Sequence, residues 1–437
     1  MSLASTTSSK PKRLWLRRIG LALLALLVLL LLALAWDLKG PGAIAVKPAQ
    51  PLPAGFIWGV SSSAFQSEGG VLDSDWSRHN AADKTQDRYG SSVDFRHRYR
   101  QDVQLAHDLG VNTYRIGINW ARVEPRPGQY DQAELAYYDD LILAIRQAGI
   151  APLITLDHFD IPGWVADQGG WTNPNTTKEF IAYSRMIANR YHKDVHLWIT
   201  FNEAFADMSI QASLHKLKGK DRDRVRDNIV AAHRQVYDVI HQIDPKAMVT
   251  SNIAWLGDRF GSGVLNGISD RAFLDRVADK VDVIAIDYYG ADLIKGLKAL
   301  SAHANWLWPP EPAGLYRALK IIQAKYPNKP ILIAETGMST HDGLPRPDGV
   351  TREDTLRDSV YWTQRARADG INVIGYMVWS LTDNFEWGTY APRFGLYTVD
   401  VLKDPSLKRI PTAAAPVYKD LIRNNGVGPG YRPVLPQ

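Results

Sequence analysis

Two glutamates stand where apolar runs end, Glu203 in Thr200-Phe-Asn-Glu203 and Glu335 in Ile333-Ala-Glu335-Thr-Gly337. A carboxyl at such a boundary is partly shielded from water, so its neighbours set its protonation. One acid can protonate a leaving oxygen while a carboxylate attacks, or activates water, from the opposite face. Cleavage of a glycosidic bond needs such a pair. A separation of ~5 Å goes with double displacement and retention, and roughly 6.5–9.5 Å with inversion; the sequence leaves that distance open. Arg115 can sit as a cation beside the nucleophile and lower its pKa, or equally pair with a scaffold carboxylate.

These groups need a frame that aims them at one another. Eight short apolar runs read as buried strands: Phe56–Ser61, Thr113–Ile118, Ala151–Leu156, His196–Phe201, Ala247–Ile253, Val281–Ile286, Pro330–Ala334 and Asn372–Trp379. Helix-like segments alternate with them: Asp94–Leu109, Gln132–Ala148, Thr176–Tyr191, Arg222–Ile243, Asp270–Ala278, Gly314–Tyr326, Thr351–Ala368 and Thr412–Asn424. Asn175 and Ser269 stand as capping side chains at two helix starts. The alternation predicts an α/β fold, a closed (β/α)8 TIM barrel. No G-x-G-x-x-G follows the first strand, which argues against a doubly wound sheet.

A barrel builds its active site at the C-terminal strand ends, and polar residues collect there. They are Gln66 and Glu68, Arg115 and Asn119, Asp157 and His158, Asn202 and Glu203, Asn252, Asp287 with Tyr288 and Tyr289, Glu335, and Trp379 with Asp383, Asn384, Glu386 and Trp387. Strands 4 and 7 of eight lie across the pore, so Glu203 and Glu335 face each other.

On these residues the stretch 54–402 resembles glycoside hydrolase family 1, the β-glucosidase family. Phe56-Ile-Trp-Gly-Val-Ser-Ser-Ser-Ala-Phe-Gln-Ser-Glu-Gly69 is similar to its N-terminal signature, Thr200–Glu203 to its acid/base motif and Glu335-Thr-Gly337 to its nucleophile motif. Trp379-Ser-Leu-Thr-Asp-Asn-Phe-Glu-Trp387 is close to its sugar-binding segment. The resemblance implies a retaining β-glycosidase with Glu203 as acid/base and Glu335 as nucleophile. It places Gln66, His158, Asn202, Glu386 and Trp387 on the glycone hydroxyls, Trp379 beneath the sugar, and Tyr289 and Arg115 on Glu335. This chain departs from the family at Asp287, usually Asn, at Phe159, usually Trp, and at Thr336, usually Asn. Asp287 adds an acid that can raise the nucleophile's pKa unless Arg115 compensates. The implied substrates are terminal β-glucosides, galactosides or fucosides. Two alternatives stay open: a membrane transglycosylase passing the sugar to a glycolipid, as in the family's galactolipid-galactosyltransferase-like branch, and a non-catalytic sugar-binding barrel.

The remaining chain is read by composition. Residues 1–18 form a basic tail with Lys10, Lys12, Arg13, Arg17 and Arg18, and 19–36 is an uncharged apolar run of bilayer length. The expectation is a transmembrane signal-anchor with the catalytic domain exported; a signal peptide cut after Ala33-Leu-Ala35 is the alternative. Residues 37–53 read as a linker, 54–425 as the catalytic domain and 426–437 as a tail. The formal charge of +5 resides largely in the basic tail, so it gives no argument for a nucleic-acid partner. With no cysteine, disulfides, thiolate metal sites and a Cys nucleophile are excluded. No metal or cofactor motif is present, and the oligomeric state is not legible. The compact segments 204–221 and 291–312 predict an open aglycone side. Trp306-Leu-Trp308 is read as an aglycone platform, a membrane contact or a packing plug.

Overall fold

The computed structural model describes residues 42–206, 219–255, 270–290 and 304–436, with isolated positions between 18 and 28 and at 217, 296, 298 and 299. Strands β1 (Ile57–Ser61), β2 (Thr113–Gly117), β3 (Ala151–Asp157), β4 (Leu197–Phe201), β6 (Ile284–Tyr288), β7 (Ile331–Thr336) and β8 (Val373–Trp379) are parallel to their neighbours. Strand β5 comes in two stretches, Met248–Thr250 and Asn252–Ala254. The first pairs with β4 and the second with β6. One interrupted strand therefore holds both ends of the sheet and closes the cylinder. The Ser251 hydroxyl, at the break, donates to the Phe201 carbonyl at 2.8 Å.

These runs become strands because both of their faces are covered. β2, β4 and β6 are buried at every position, the pattern of a parallel sheet wrapped by helices. Leu153, Leu197, Ile199, Val283, Ala285, Leu332, Ala334 and Met377 fill the barrel interior. Space there is tight: a Cβ at Gly59 would come within 2.6 Å of the Met377 methyl. A second core lies between sheet and helices, with Trp198, Phe180, Tyr183 and Trp120 at its centre.

Among the described residues, the longer helices that alternate with the strands are α1 (Phe95–Leu109), α2 (Gln132–Gln147), α3 (Pro174–Tyr191), α4 (Lys220–Ile243), α5 (Asp270–Val277), α6 (Pro312–Lys325), α7 (Arg352–Ala368) and α8 (Ala414–Arg423). Asp131 caps α2 and Thr351 caps α7, their side chains accepting from backbone N–H groups of the first turn. The cap of α3 is Asn173, whose side chain accepts from Asn175 N at 3.0 Å, and not Asn175. Pro174 takes the first helical position, where its missing N–H costs nothing. Ser269 lies outside the described residues.

The segments read as a linker and a tail share one support. Tyr361 on α7 donates to the Lys47 carbonyl at 2.7 Å and accepts from Lys47 N–H at 2.9 Å; Gln364 donates to the Gln50 carbonyl at 2.7 Å. At the other end Asp358 accepts from Tyr431 OH at 2.7 Å and from the N–H groups of Val434 and Leu435 at 3.0 and 2.8 Å. The expected anchor at 19–36 lies outside the described residues apart from isolated helical positions. Among the described residues no helix is long and apolar enough to cross a membrane.

Asp358→Ala removes the acceptor that holds residues 431–435 and leaves its part-buried donors unmet. It should lower unfolding stability by about 1–3 kcal/mol and open the tail to proteolysis that spares the wild type. Urea denaturation and limited proteolysis check this; unchanged midpoints and fragments would contradict the docking.

Candidate active site

At the C-terminal ends of the strands lies a cavity of about 470 Å³. Gln66, His158, Asn202, Glu203, Asp287, Tyr289, Glu335, Trp379, Glu386 and Trp387 line it. Arg115, from β2, is fully buried and reaches Glu335 without lining the cavity. The structure thus brings together the two glutamates, Asp287 and every residue that the family resemblance placed around the sugar.

The charged centre is built on Arg115. Its Nη1 donates to Glu335 Oε1, its Nη2 to Asn202 Oδ1 at 2.5 Å and its Nε to Thr155 Oγ1 at 2.8 Å. Tyr289 OH donates to the other Glu335 oxygen at 2.7 Å. Burial, and then the charge of Glu335, hold the Tyr289 phenol well above its ordinary range, so it remains a donor. Glu203 stands across from this pair, half-buried, with its backbone in the left-handed region at φ 41°.

One oxygen from each of Glu203, Asp287 and Glu335 lies within 4.8 Å of the others. For the two glutamates this is the close spacing of double displacement, short of the roughly 6.5–9.5 Å that leaves room for a water. Three oxygens this close can also meet a cation, but Arg115 already brings a positive charge to Glu335. Asp287 is buried, and Asn252 Nδ2 donates to its Oδ2. Burial first, then the charges of Glu335 and Glu203, push its pKa well above the carboxylate range; Arg115 opposes them.

The far end of the cavity is nearly neutral. Burial holds Glu386 up to about 8. Gln66 Nε2 and Trp379 Nε1 each donate to Glu386 Oε2 at 3.3 Å, and Ser63 orients Gln66 through a 2.6 Å bond to Oε1. The His158 ring stacks on Trp379 at 5.7 Å. Burial and the Arg115 charge drive the imidazole pKa well below its usual value, so it is neutral. A wall of neutral donors, acceptors and rings suits a neutral polyol with apolar C–H faces.

Other polar strand-end residues serve the scaffold. Glu68 pairs with Arg122 at 2.8 Å and accepts from Tyr138. Asn119 caps a short helix, Asp157 accepts from Phe159 N–H, and Asp383 accepts from Gly395 N–H and Thr398. The cavity also uses Trp76, Trp255, Met338 and Phe394, which a search for polar residues passes over. Only Trp255, directly after Asn252-Ile-Ala254, carried a positional signal. Trp308 lines the cavity, whereas Trp306 stacks on His341 at 4.2 Å. Of segments 204–221 and 291–312, residues 207–216, 218, 291–295, 297 and 300–303 lie outside the described residues.

A parallel barrel with two facing carboxyls at this spacing, beside a neutral sugar-sized cavity, defines a glycoside hydrolase. The sequence model of Glycosyl hydrolase family 1 matches residues 49–256 and 269–427, and the chain belongs to that family. A bifunctional beta-D-glucosidase/beta-D-fucosidase of Bifidobacterium breve is 28% identical, the match covering 82% of this chain and 95% of that one. Beta-glucosidase 40 of Arabidopsis thaliana is 29% identical, covering 82% and 90%. A beta-glycosidase from Pyrococcus horikoshii superposes with a TM-score of 0.76 at 25% identity, covering 87% and 96%. A beta-glucosidase from Thermotoga maritima in complex with castanospermine does so at 0.74 over 86% and 99%; at 24% identity it bears on the fold alone.

The Glu386 proton has a measurable consequence. The folded chain keeps it up to about pH 8, while the unfolded chain releases it near the ordinary glutamate value of 4.5. This group therefore favours folding below pH 4.5, and that advantage is lost as pH rises to about 8. The urea midpoint of the wild type, relative to Glu386→Gln, should fall across this window. A difference independent of pH would refute the buried acid.

Proposed function

We propose that the chain is a retaining β-glycosidase that releases terminal β-D-glucosyl units, with fucosides and galactosides in range. The observation that carries it is the Glu203–Glu335 spacing within 4.8 Å, with Arg115 and Tyr289 both directed at Glu335. Glu335 attacks the anomeric carbon while Glu203 gives its proton to the departing glycosidic oxygen. A glycosyl ester on Glu335 and a free aglycone alcohol result. Glu203, now a carboxylate, takes a proton from water as that water's oxygen displaces Glu335, and the sugar leaves with its original configuration. Arg115 and Tyr289 hold the nucleophile's two oxygens, fixing the one that attacks. Gln66, His158, Asn202, Glu386 and Trp387 bind the glycone over Trp379. The named glucosidase and fucosidase activities of the relatives support this sugar range.

The basic tail followed by the apolar run 19–36 supports a further part of the reading, a catalytic domain tethered on the exported side of a membrane.

On nitrophenyl β-glycosides, Glu335→Ala should lose roughly 10⁴-fold or more in kcat, and NMR of the wild-type reaction should show the β-anomer first. Undiminished turnover in Glu335→Ala, or the α-anomer first, would refute the assignment. Glu203→Ala should slow substrates with poor leaving groups roughly 10²–10⁴-fold and activated aryl glycosides much less; equal losses on both would remove Glu203 from the acid role.

A further inference from the structure

The site holds more acid than the reaction uses. Double displacement needs Glu203 and Glu335, yet a third carboxyl, Asp287, stands with them, one oxygen of each within 4.8 Å. The groups facing Asp287 come from every strand around it. They are Glu335 from β7, Glu203 after β4, Arg115 from β2, Tyr289 after β6, and neutral Asn252 from the second stretch of β5. Arg115 is the cation among them, and its hydrogen bonds go to Glu335, Asn202 and Thr155. Among the described residues, one positive charge therefore faces the three acids. With Glu335 as the carboxylate beside Arg115, a second ionised acid at Asp287 is disfavoured at low dielectric.

The two oxygens of Asp287 differ. Oδ2 accepts from Asn252, whereas the buried Oδ1 has no hydrogen-bond partner among the described residues, and Asp287 lines the cavity. A buried polar atom without a protein partner is costly unless the ligand completes it. With Oδ2 accepting from the amide, the proton belongs on Oδ1.

We infer that Asp287 works as a neutral carboxylic acid, donating a hydrogen bond from Oδ1 to a sugar oxygen next to the carbon that Glu335 attacks. This rests on the glycosidase reading. The residue is a substrate-binding donor in the form of an acid, and it functions only while it keeps its proton. Its ionisation would place a second negative charge beside Glu335 and remove the donor together.

The test compares Asp287→Ala with Asp287→Asn in the full chain, on a nitrophenyl β-glycoside across pH. Asp287→Ala should lose roughly 10²-fold in kcat/KM, and Asp287→Asn, which keeps an N–H donor and cannot ionise, should recover most of it. The alkaline limb of the Asn variant should stay where it is or move to higher pH. An ionised Asp287 would instead have been supporting the Glu203 proton by its charge, so a limb moving to lower pH overturns the inference. An Asn variant as slow as the Ala variant overturns it too, as does an Ala variant as fast as wild type. Infrared difference spectra at neutral pH decide the protonation without turnover. Wild type minus Asp287→Asn should show a lost carboxylic-acid C=O band, and a lost carboxylate band contradicts the proposal. Wild type inactive on every aryl β-glycoside would overturn the glycosidase reading instead, while the infrared result would still stand.

Discussion

The mouth of the barrel is organised by one buried ion pair, Arg115 with Glu335. A guanidinium with no solvent exposure is tolerable only if its donors are met. Arg115 meets them with Thr155 on β3, Asn202 after β4 and Glu335 on β7. Since Arg115 itself comes from β2, four parts of the sheet must hold their register for the pair to exist. Cylinder closure through the interrupted β5 strand enforces that register: β4 is fixed on one side of the break and β6, leading to β7, on the other. The same break brings Asn252 to both Asn202 and Asp287. Closure of the fold and arrangement of the charges are one constraint.

From that pair outward the cavity grows less charged. His158 is driven neutral by burial and by Arg115, Tyr289 keeps its proton, and Glu386 keeps its own up to about pH 8. Three titratable side chains thus stand here as uncharged donors and acceptors. Sugar hydroxyls are bound by such groups, and a low background of charge makes the remaining one count. Positive charge develops at the anomeric carbon in the transition state, and the Glu335 carboxylate, held by Arg115 and Tyr289, is placed against it.

The frame was legible because its signal is local. Buried parallel strands are short apolar runs with abrupt ends, so each predicted strand overlaps an observed one; only β5 proved to be broken, at Ser251. The cavity's polar half was legible for the same reason, since a charged or amide side chain at the end of such a run has few other places to go. Partners were not. Glu68 and Gln66 both follow β1, but Arg122 and Tyr138 claim Glu68 for the scaffold. Nothing local in the sequence says so. Trp255 and Phe394 look like core residues until the fold puts cavity beside them. The linker and tail bond their backbone to α7, far away in sequence, which no local pattern announces.

Where the cavity wall turns over the mouth, the backbone is strained. Phe159 after β3, Glu203 after β4 and Trp387 beyond β8 all line the cavity, and all have left-handed φ values, 71°, 41° and 54°. For residues with a Cβ this costs on the order of 1–3 kcal/mol each, so contacts must hold them there. Asp157 Oδ1 accepts from Phe159 N–H at 3.1 Å, and Trp76 and Trp387 pack on the Phe159 ring at 6.3 and 5.6 Å. A strand run on in extended conformation would carry its next side chain away from the axis; a left-handed residue turns the chain sharply just past the strand end. In Glu203 that turn falls on the carboxyl whose distance from Glu335 sets the chemistry.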